Sequence, residues 1–305
     1  MASIIDNIKG SFARGSLLIR LIYINVALFL LVHLVAIILT LWNINPTAWM
    51  AYIDLPSDLN LLLRRPWTLI TYMFVHYDVW HILFNMLWFY WFGGIFLQYF
   101  TPKHLSGLYL LGGLAGALFY VAAYNIFPYF ADKQSMMCGA SAAIMAVVLA
   151  ITVRVPDYKV NLLFLGAVSL KYIAAVTVLI DLFSMTSANA GGHIAHIGGA
   201  VMGILFAIFW KRGKDLTRPI NAFVDIIFTF FSRPRFKVRR PRYTKSSGST
   251  TSGSRRRPES DYEYNARKKR EMDEIDAILD KIKKSGYSAL TEAEKKRLFD
   301  AGKPN

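Results

Sequence analysis

Over its first 210 residues the chain carries only 10 Lys/Arg and 7 Asp/Glu, while apolar runs recur at about 17–42, 79–100, 104–127, 138–153, 170–185 and 191–210. A soluble domain would need roughly a quarter of its residues charged. A bilayer core about 30 Å thick asks instead for runs of about 20 apolar residues. The pattern predicts an all-α polytopic membrane protein of six transmembrane helices. Residues 211–305 hold the other 25 basic and 13 acidic residues, a net of +12. They read as a basic soluble tail.

The one cysteine, Cys138, excludes a disulfide framework and a thiolate metal cluster. The first apolar run, Leu17 to Trp42, is too long for the core of a cleaved signal peptide and reads as the first span. The segment Asn43–Tyr77, with Pro46, Pro56, Pro66, Trp49 and Trp67, is expected to lie folded in the interface. Val160–Leu170 is apolar but short, and reads as re-entrant or interfacial. With six spans, Lys9, Arg14, Lys103, Arg154, Lys159, Lys211, Arg212 and Lys214 fall on one side, so both termini are expected in the cytoplasm.

The fourth run is too short for the membrane. From Cys138 to Val153 it has 16 residues, and at about 1.5 Å per residue it stops several Å short of a core of about 30 Å. Its outer end, Cys138-Gly139-Ala140-Ser141, must then expose backbone N–H groups to protein or to a water-filled cavity. Runs two, four and six all travel inward, so their first turns share a depth. That brings together His81 and Asn85, four apart on one helical face, with Ser141 and His196. A serine hydroxyl beside a neutral imidazole supports acyl transfer, and imidazole, amide and backbone N–H groups can stabilise the oxyanion. Gly199 and Gly203 lie three and seven residues after His196, a GxxxG pair that lets the sixth helix approach Ala142, Ala146 and Ala150 of the fourth.

At His81-Ile82-Leu83-Phe84-Asn85, Gly139-Ala140-Ser141 and Ala195-His196-Ile197-Gly198-Gly199 with Gly203, the chain resembles the rhomboid family of intramembrane serine proteases. His76 and Trp67 also fit the family's pattern, and the resemblance covers roughly residues 15–210. It implies a six-helix rhomboid-like bundle in which Ser141 is the nucleophile and His196 the base of a dyad without an acidic member. It further implies an oxyanion site from His81, Asn85 and Ser141, and Gly139, Gly199 and Gly203 as packing positions around the site. Single-pass membrane proteins would be the substrates, with the fifth helix as a lateral gate. Two positions depart from the family: Ala142 stands where Gly usually follows the serine, and Trp67 is followed by Thr68, with Arg64 and Arg65 upstream.

The alternatives are a non-catalytic rhomboid-like protein that binds membrane clients, and a transporter. Polar residues clustered near one surface, not along a path, speak against the transporter. No cofactor or metal is called for: His193 and His196 are three apart, but no HExxH helix accompanies them. Asp181 reads as a polar hydrogen-bonding residue rather than a triad member. His76 and His193 read as loop or interface residues, His33 and His104 as structural, and Lys171 as a snorkelling side chain.

Five segments follow: a cytoplasmic N-terminus (1–16), the protease domain (17–210), a basic juxtamembrane strip (211–243) suited to anionic lipid, a disordered Ser/Thr/Gly linker (244–265), and a small C-terminal helical hairpin (266–305). Residues 211–257 carry 14 basic and 2 acidic residues, and residues 258–305 carry 11 of each. The hairpin, whose second helix opens on the capping box Thr291–Glu294, is therefore no nucleic-acid module, and a protein partner is the expectation for it. The hairpin resembles an appendage of some bacterial rhomboids, which suggests a bacterial inner membrane.

Overall fold

A computed structural model describes residues 16–162, 166–231, 274–286 and 289–301. The chain divides into two units, Met1–Arg235 and Phe236–Asn305. In the first, all six expected helices form: α1 (Leu17–Leu41), α2 (Val79–Tyr99), α3 (Pro102–Ile126), α4 (Ser141–Arg154), α5 (Leu170–Phe183) and α6 (Ala190–Lys211). The starts of α1, α2 and α3 are set by side-chain caps. Ser16, Asp78 and Thr101 accept from the backbone N–H groups of Ile19, His81 and His104, and His104 closes a capping box with Thr101. Among the described residues, α1, α2, α3 and α6 are long and apolar enough to cross a membrane. With 14 residues each, α4 and α5 extend only about 21 Å.

The core is built around α4, which buries Ala142 through Thr152, 11 of its 14 residues. It packs on α6, α3 and α2. Lipid tails are as apolar as leucine, so helices in a bilayer gain little from hydrophobic burial and associate through close backbone approach. Small residues supply it here. A Cβ at Gly199 or Gly203 would overlap the carbonyls of Ala142 and Ala146, and one at Gly112 or Gly116 would overlap the Ala146 or Ala142 methyl. By contrast α1 buries only Leu18, Asn25 and Val32.

The segment between α1 and α2 folds into short helices at Thr47–Met50, Leu59–Arg64 and Thr68–Thr71, a 3-10 turn at Tyr72–Phe74, and strand β1 (Leu55–Pro56). This strand pairs antiparallel with β2 (Met136–Met137), just ahead of α4. Although no Arg follows Trp67, the loop is still anchored. The Trp67 indole N–H donates to Tyr52 O at 2.7 Å, and Arg65 donates to Ala51 O at 2.8 Å while its guanidinium lies 3.8 Å over the Tyr52 ring.

Elsewhere the structure adds detail to the sequence reading. The stretch read as re-entrant or interfacial contributes two strands, β3 (Lys159–Leu162) and β4 (Gly166–Ser169), which pair antiparallel, with Gly166 at φ +73°. The Lys171 ammonium does not snorkel alone but pairs with Asp157 at 2.6 Å. The apolar stretch Pro219–Phe231, too short to span and expected as a helix, forms α7 (Arg218–Phe231), which is tied to α3 by Lys103–Asp225 at 2.7 Å and by Asn221 donating to Lys103 O.

In the second unit a helix over 274–285 stops at Gly286, φ +78°, and a helix at Glu292–Ala301 follows. The expected capping box forms: Thr291 N–H donates to Glu294 Oε2 at 2.7 Å and Glu294 N–H to Thr291 Oγ1 at 3.4 Å. Lys281–Glu294 and Arg297–Glu274 link the two helices. The expectations for the N-terminus, Lys9 and Arg14, and for the linker at 244–265, lie outside the described residues.

Candidate active site

The fourth helix starts at Ser141, three residues later than its apolar run, because the preceding residues are held in a turn. Gly139 has φ +124°, a conformation that L side chains rarely adopt. It was expected at a packing position of the helix but lies just outside it. Its N–H donates to Tyr72 O at 2.9 Å, and the next N–H, of Ala140, donates to His76 Nε2 at 3.3 Å. A Cβ on Gly139 would stand 2.8 Å from His81 Cε1, 2.9 Å from His81 Nε2 and 3.8 Å from Ser141 Oγ. Glycine therefore leaves the space into which the His81 imidazole leans beside the serine. The extra methyl at Ala142 does not enter this space; it is buried against Gly116 of α3.

His81, Asn85, Ser141 and His196 all line one chamber of about 690 Å³. Its walls also include Trp80, Phe84 and Trp88 from α2 and Thr177, Ile180 and Asp181 from α5. The seam between α4 and α6, at Gly199 and Gly203, brings the first turns of α4 against the middle of α6, a close approach that the GxxxG spacing predicts.

Sequence reasoning understated two residues. His76, read as a loop residue, is 0% exposed, and its Nε2 accepts from the Asn85 amide at 3.1 Å as well as from Ala140 N–H. Burial first, and the neighbouring His81 second, push the pKa of His76 down to about 4, so at pH 7 it is neutral and can accept. It stitches the α2 face to the turn before Ser141. Asp181, read apart from any acid-assisted site, is 3% exposed. Its Oδ1 accepts from His196 Nδ1 and from His193 Nδ1, both at 2.8 Å. His196 therefore has an acidic neighbour, which the expected dyad lacked. A carboxylate on Nδ1–H leaves Nε2 as the acceptor of the ring. The signal for this was present: six residues join α5 to α6, so the last turn of one lies near the start of the other.

Toward the loop, Tyr77 O–H donates to Asp54 Oδ1 at 2.7 Å. Burial pushes Asp54 up to about 6 against the lowering by that hydrogen bond. Among the described residues, Asp181, His193 and His196 are the group whose ligand atoms, all within 4.8 Å of one another, suit a metal ion.

Residues 63–212 match the Rhomboid domain, and residues 259–301 match a family of unknown function (DUF6576). RHOMBOID-like protein 12, mitochondrial, of Arabidopsis thaliana is 29% identical over 57% of this chain and 54% of its own length. Rhomboid protease GlpG of Yersinia enterocolitica is 26% identical over 62% of this chain and 64% of its own. Presenilin-associated rhomboid-like protein A, mitochondrial, of Danio rerio is 25% identical over 48% and 39%. The chain spans about half the length of these curated relatives.

Proposed function

The chain belongs to the rhomboid family of integral membrane proteins, and we propose that it is a serine endopeptidase that cuts membrane-protein substrates in or near their transmembrane helices. The observation that carries the proposal is the sharing of one chamber by Ser141, His81, Asn85 and His196, contributed by three helices, with the His196 ring fixed from behind by Asp181.

In the proposed reaction His196 Nε2 takes the Ser141 Oγ proton as Oγ attacks the scissile carbonyl. Asp181 acts through His196 as a positioning residue, holding the tautomer and stabilising the imidazolium that forms, the role of the acidic group in other serine hydrolases. The oxyanion is met by the Ser141 N–H at the start of α4, by the His81 imidazole and by the Asn85 amide, whose orientation His76 sets. His196 then passes its proton to the leaving amine, and water releases the acyl group by the reverse path. The aromatic wall of α2 and the lightly buried α5 support entry of a substrate helix between them.

The basic residues Lys103, Arg154, Lys159 and Lys211, read by the positive-inside rule, support cytoplasmic termini and a site opening on the other side of the membrane. The basic strip after α6 would lie on anionic lipid.

The test is fluorophosphonate labelling and cleavage of a transmembrane substrate by the purified full chain in liposomes. Wild type is expected to label and cut, and Ser141→Ala and His196→Ala to do neither. Cleavage by Ser141→Ala at the wild-type rate would overturn the assignment. Substrate capture without cleavage by the wild type would make the chain a client-binding relative.

A further inference from the structure

Asp181 does more than face one histidine. Its Oδ1 receives two ring N–H groups, one from His193 and one from His196, whereas its Oδ2 is buried with no hydrogen-bond partner among the described residues. A carboxylate with a 4% exposed side chain and one bare oxygen is under-compensated, since removing an anion from water costs several kcal/mol per ion before partners offset it. The two histidines stand three apart on α6, the aspartate comes from α5, and their ligand atoms all fall within 4.8 Å. Asp181 and His196 border the chamber, which leaves room for a further ligand such as water.

We propose that Asp181, His193 and His196 form an inhibitory site for a divalent transition metal of the zinc class. Two imidazoles and a carboxylate are a donor set that zinc accepts, with bonds of about 2.0–2.1 Å and a fourth position left to water. Tetrahedral bonds of that length separate ligand atoms by roughly 3.3 Å. Each 2.8 Å N···O contact therefore opens by about half an ångström as the ion replaces the shared protons. The two ring nitrogens, within 4.8 Å of each other, draw together by rotation of the His193 and His196 imidazoles on α6. The ion also supplies the positive charge that the bare Oδ2 lacks.

The consequence for the site rests on the reading of His196 as the base. A metal on Nδ1 leaves the neutral ring with its proton on Nε2, so Ser141 Oγ has no acceptor for its proton. No bond to substrate forms and nothing is oxidised or reduced; the metal takes the place of a proton at each of two ring nitrogens.

Binding is read first on full-length Ser141→Ala protein in detergent, with any affinity tag removed, by titrating Co²⁺ and following its visible d–d bands. One equivalent bound with the intense bands of a tetrahedral centre, displaced by Zn²⁺, is expected. In the same background His193→Ala should weaken binding at least tenfold. His193→Cys should bind and add a thiolate-to-cobalt charge-transfer band, which keeps the test informative where His193→Ala misfolds. No binding, or a Co²⁺ spectrum indifferent to both His193 variants, overturns the proposal. The second arm compares fluorophosphonate labelling of the Ser141 protein with and without Zn²⁺: at least tenfold slowing, reversed by chelator, is expected, and Zn²⁺-insensitive labelling overturns the inhibitory role. Because the first arm needs no catalysis, a bound metal on a protein that never cleaves would sink the peptidase reading and leave the site standing. Cleavage without metal binding would do the opposite.

Discussion

The helices α4 and α5 have the same length, 14 residues, and are both apolar, yet the molecule uses them in opposite ways. The first buries 11 of its residues, whereas α5 buries three, Leu170, Ala174 and Asp181. Length and hydropathy do not separate them; side-chain size does. Along α4, Ala142, Ala146 and Ala150 let the backbones of α3 and α6 come to contact distance, whereas α5 presents Tyr172, Val176, Leu179 and Phe183 outward. A short helix is thus a fixed post when its face is small and a loosely held wall when its face is large. The wall carries one buried polar anchor, Asp181, and it points at the post's chemistry.

The largest expected effect comes from filling the seam that fixes α4. Gly199→Val would drive a side chain into the Ala142 carbonyl, which backbone cannot vacate cheaply. We expect a loss of more than about 4 kcal/mol, enough to prevent folding. Recovery of a monodisperse protein with wild-type thermal stability would show that the α4–α6 seam is not what holds the post.

Next comes the wall's anchor. Asp181→Asn keeps the size of the side chain but removes the charge that would steady the His196 imidazolium in the proposed reaction. The expectation is a fall in kcat of roughly 100- to 1,000-fold, about 3–4 kcal/mol of transition-state stabilisation, with KM and Tm little changed. Equal kcat for the two proteins would leave His196 working without acidic assistance.

These two positions also show what could be read in advance. The helical bundle, its six helices and the meeting of Ser141, His81, Asn85 and His196 at one chamber were legible, because hydropathy marks the helices and their order sets which ends meet. The tight seam was legible from Gly199 and Gly203, because small residues at a four-residue spacing have few other uses in lipid. Asp181 reads as a hydrogen-bonding residue and is one, but its partners and those of His76 were not recovered, since a contact between elements depends on helix rotation, which a charge-free apolar pattern leaves open. The start of α4 was misjudged because Cys138-Gly139-Ala140 continues the apolar run while the positive φ of Gly139 breaks the helix. The hairpin at 159–169 escaped because a short apolar run fits strand and interfacial segment alike.

A third prediction concerns the loop that hangs over the post. Asp54 and His76 are both buried and titrate in opposite senses. With Asp54 raised to about 6, its contribution is full below its ordinary pKa of 3.8 and is lost as pH rises through 6. With His76 lowered to about 4, its contribution is full above its ordinary 6.5 and is lost as pH falls through 4. Each amounts to about 3 kcal/mol, so between pH 4 and 6 the two slopes oppose and largely cancel. Asp54→Asn should unmask a stability that rises with pH across that window, and His76→Gln one that falls. Thermal unfolding followed from pH 4 to 7 reads this directly, and two variants with the wild-type profile would remove both groups from the account.

The smallest effect is the most direct test of the contrast itself, because it makes the same change on post and wall. Val148 on α4 is 0% exposed and Val176 on α5 is 56% exposed. In water both truncations to Ala would lose hydrophobic transfer energy in proportion to burial. In a bilayer the removed methyls exchange protein for lipid, so what remains is the packing lost where the void cannot be filled. Val148→Ala leaves a cavity that no lipid chain reaches and should cost about 1–2 kcal/mol. At Val176 acyl chains close over the gap, and the cost should stay below about 0.5 kcal/mol. Unfolding in lipid vesicles distinguishes the two, and equal costs would mean that α5 is packed against something other than lipid.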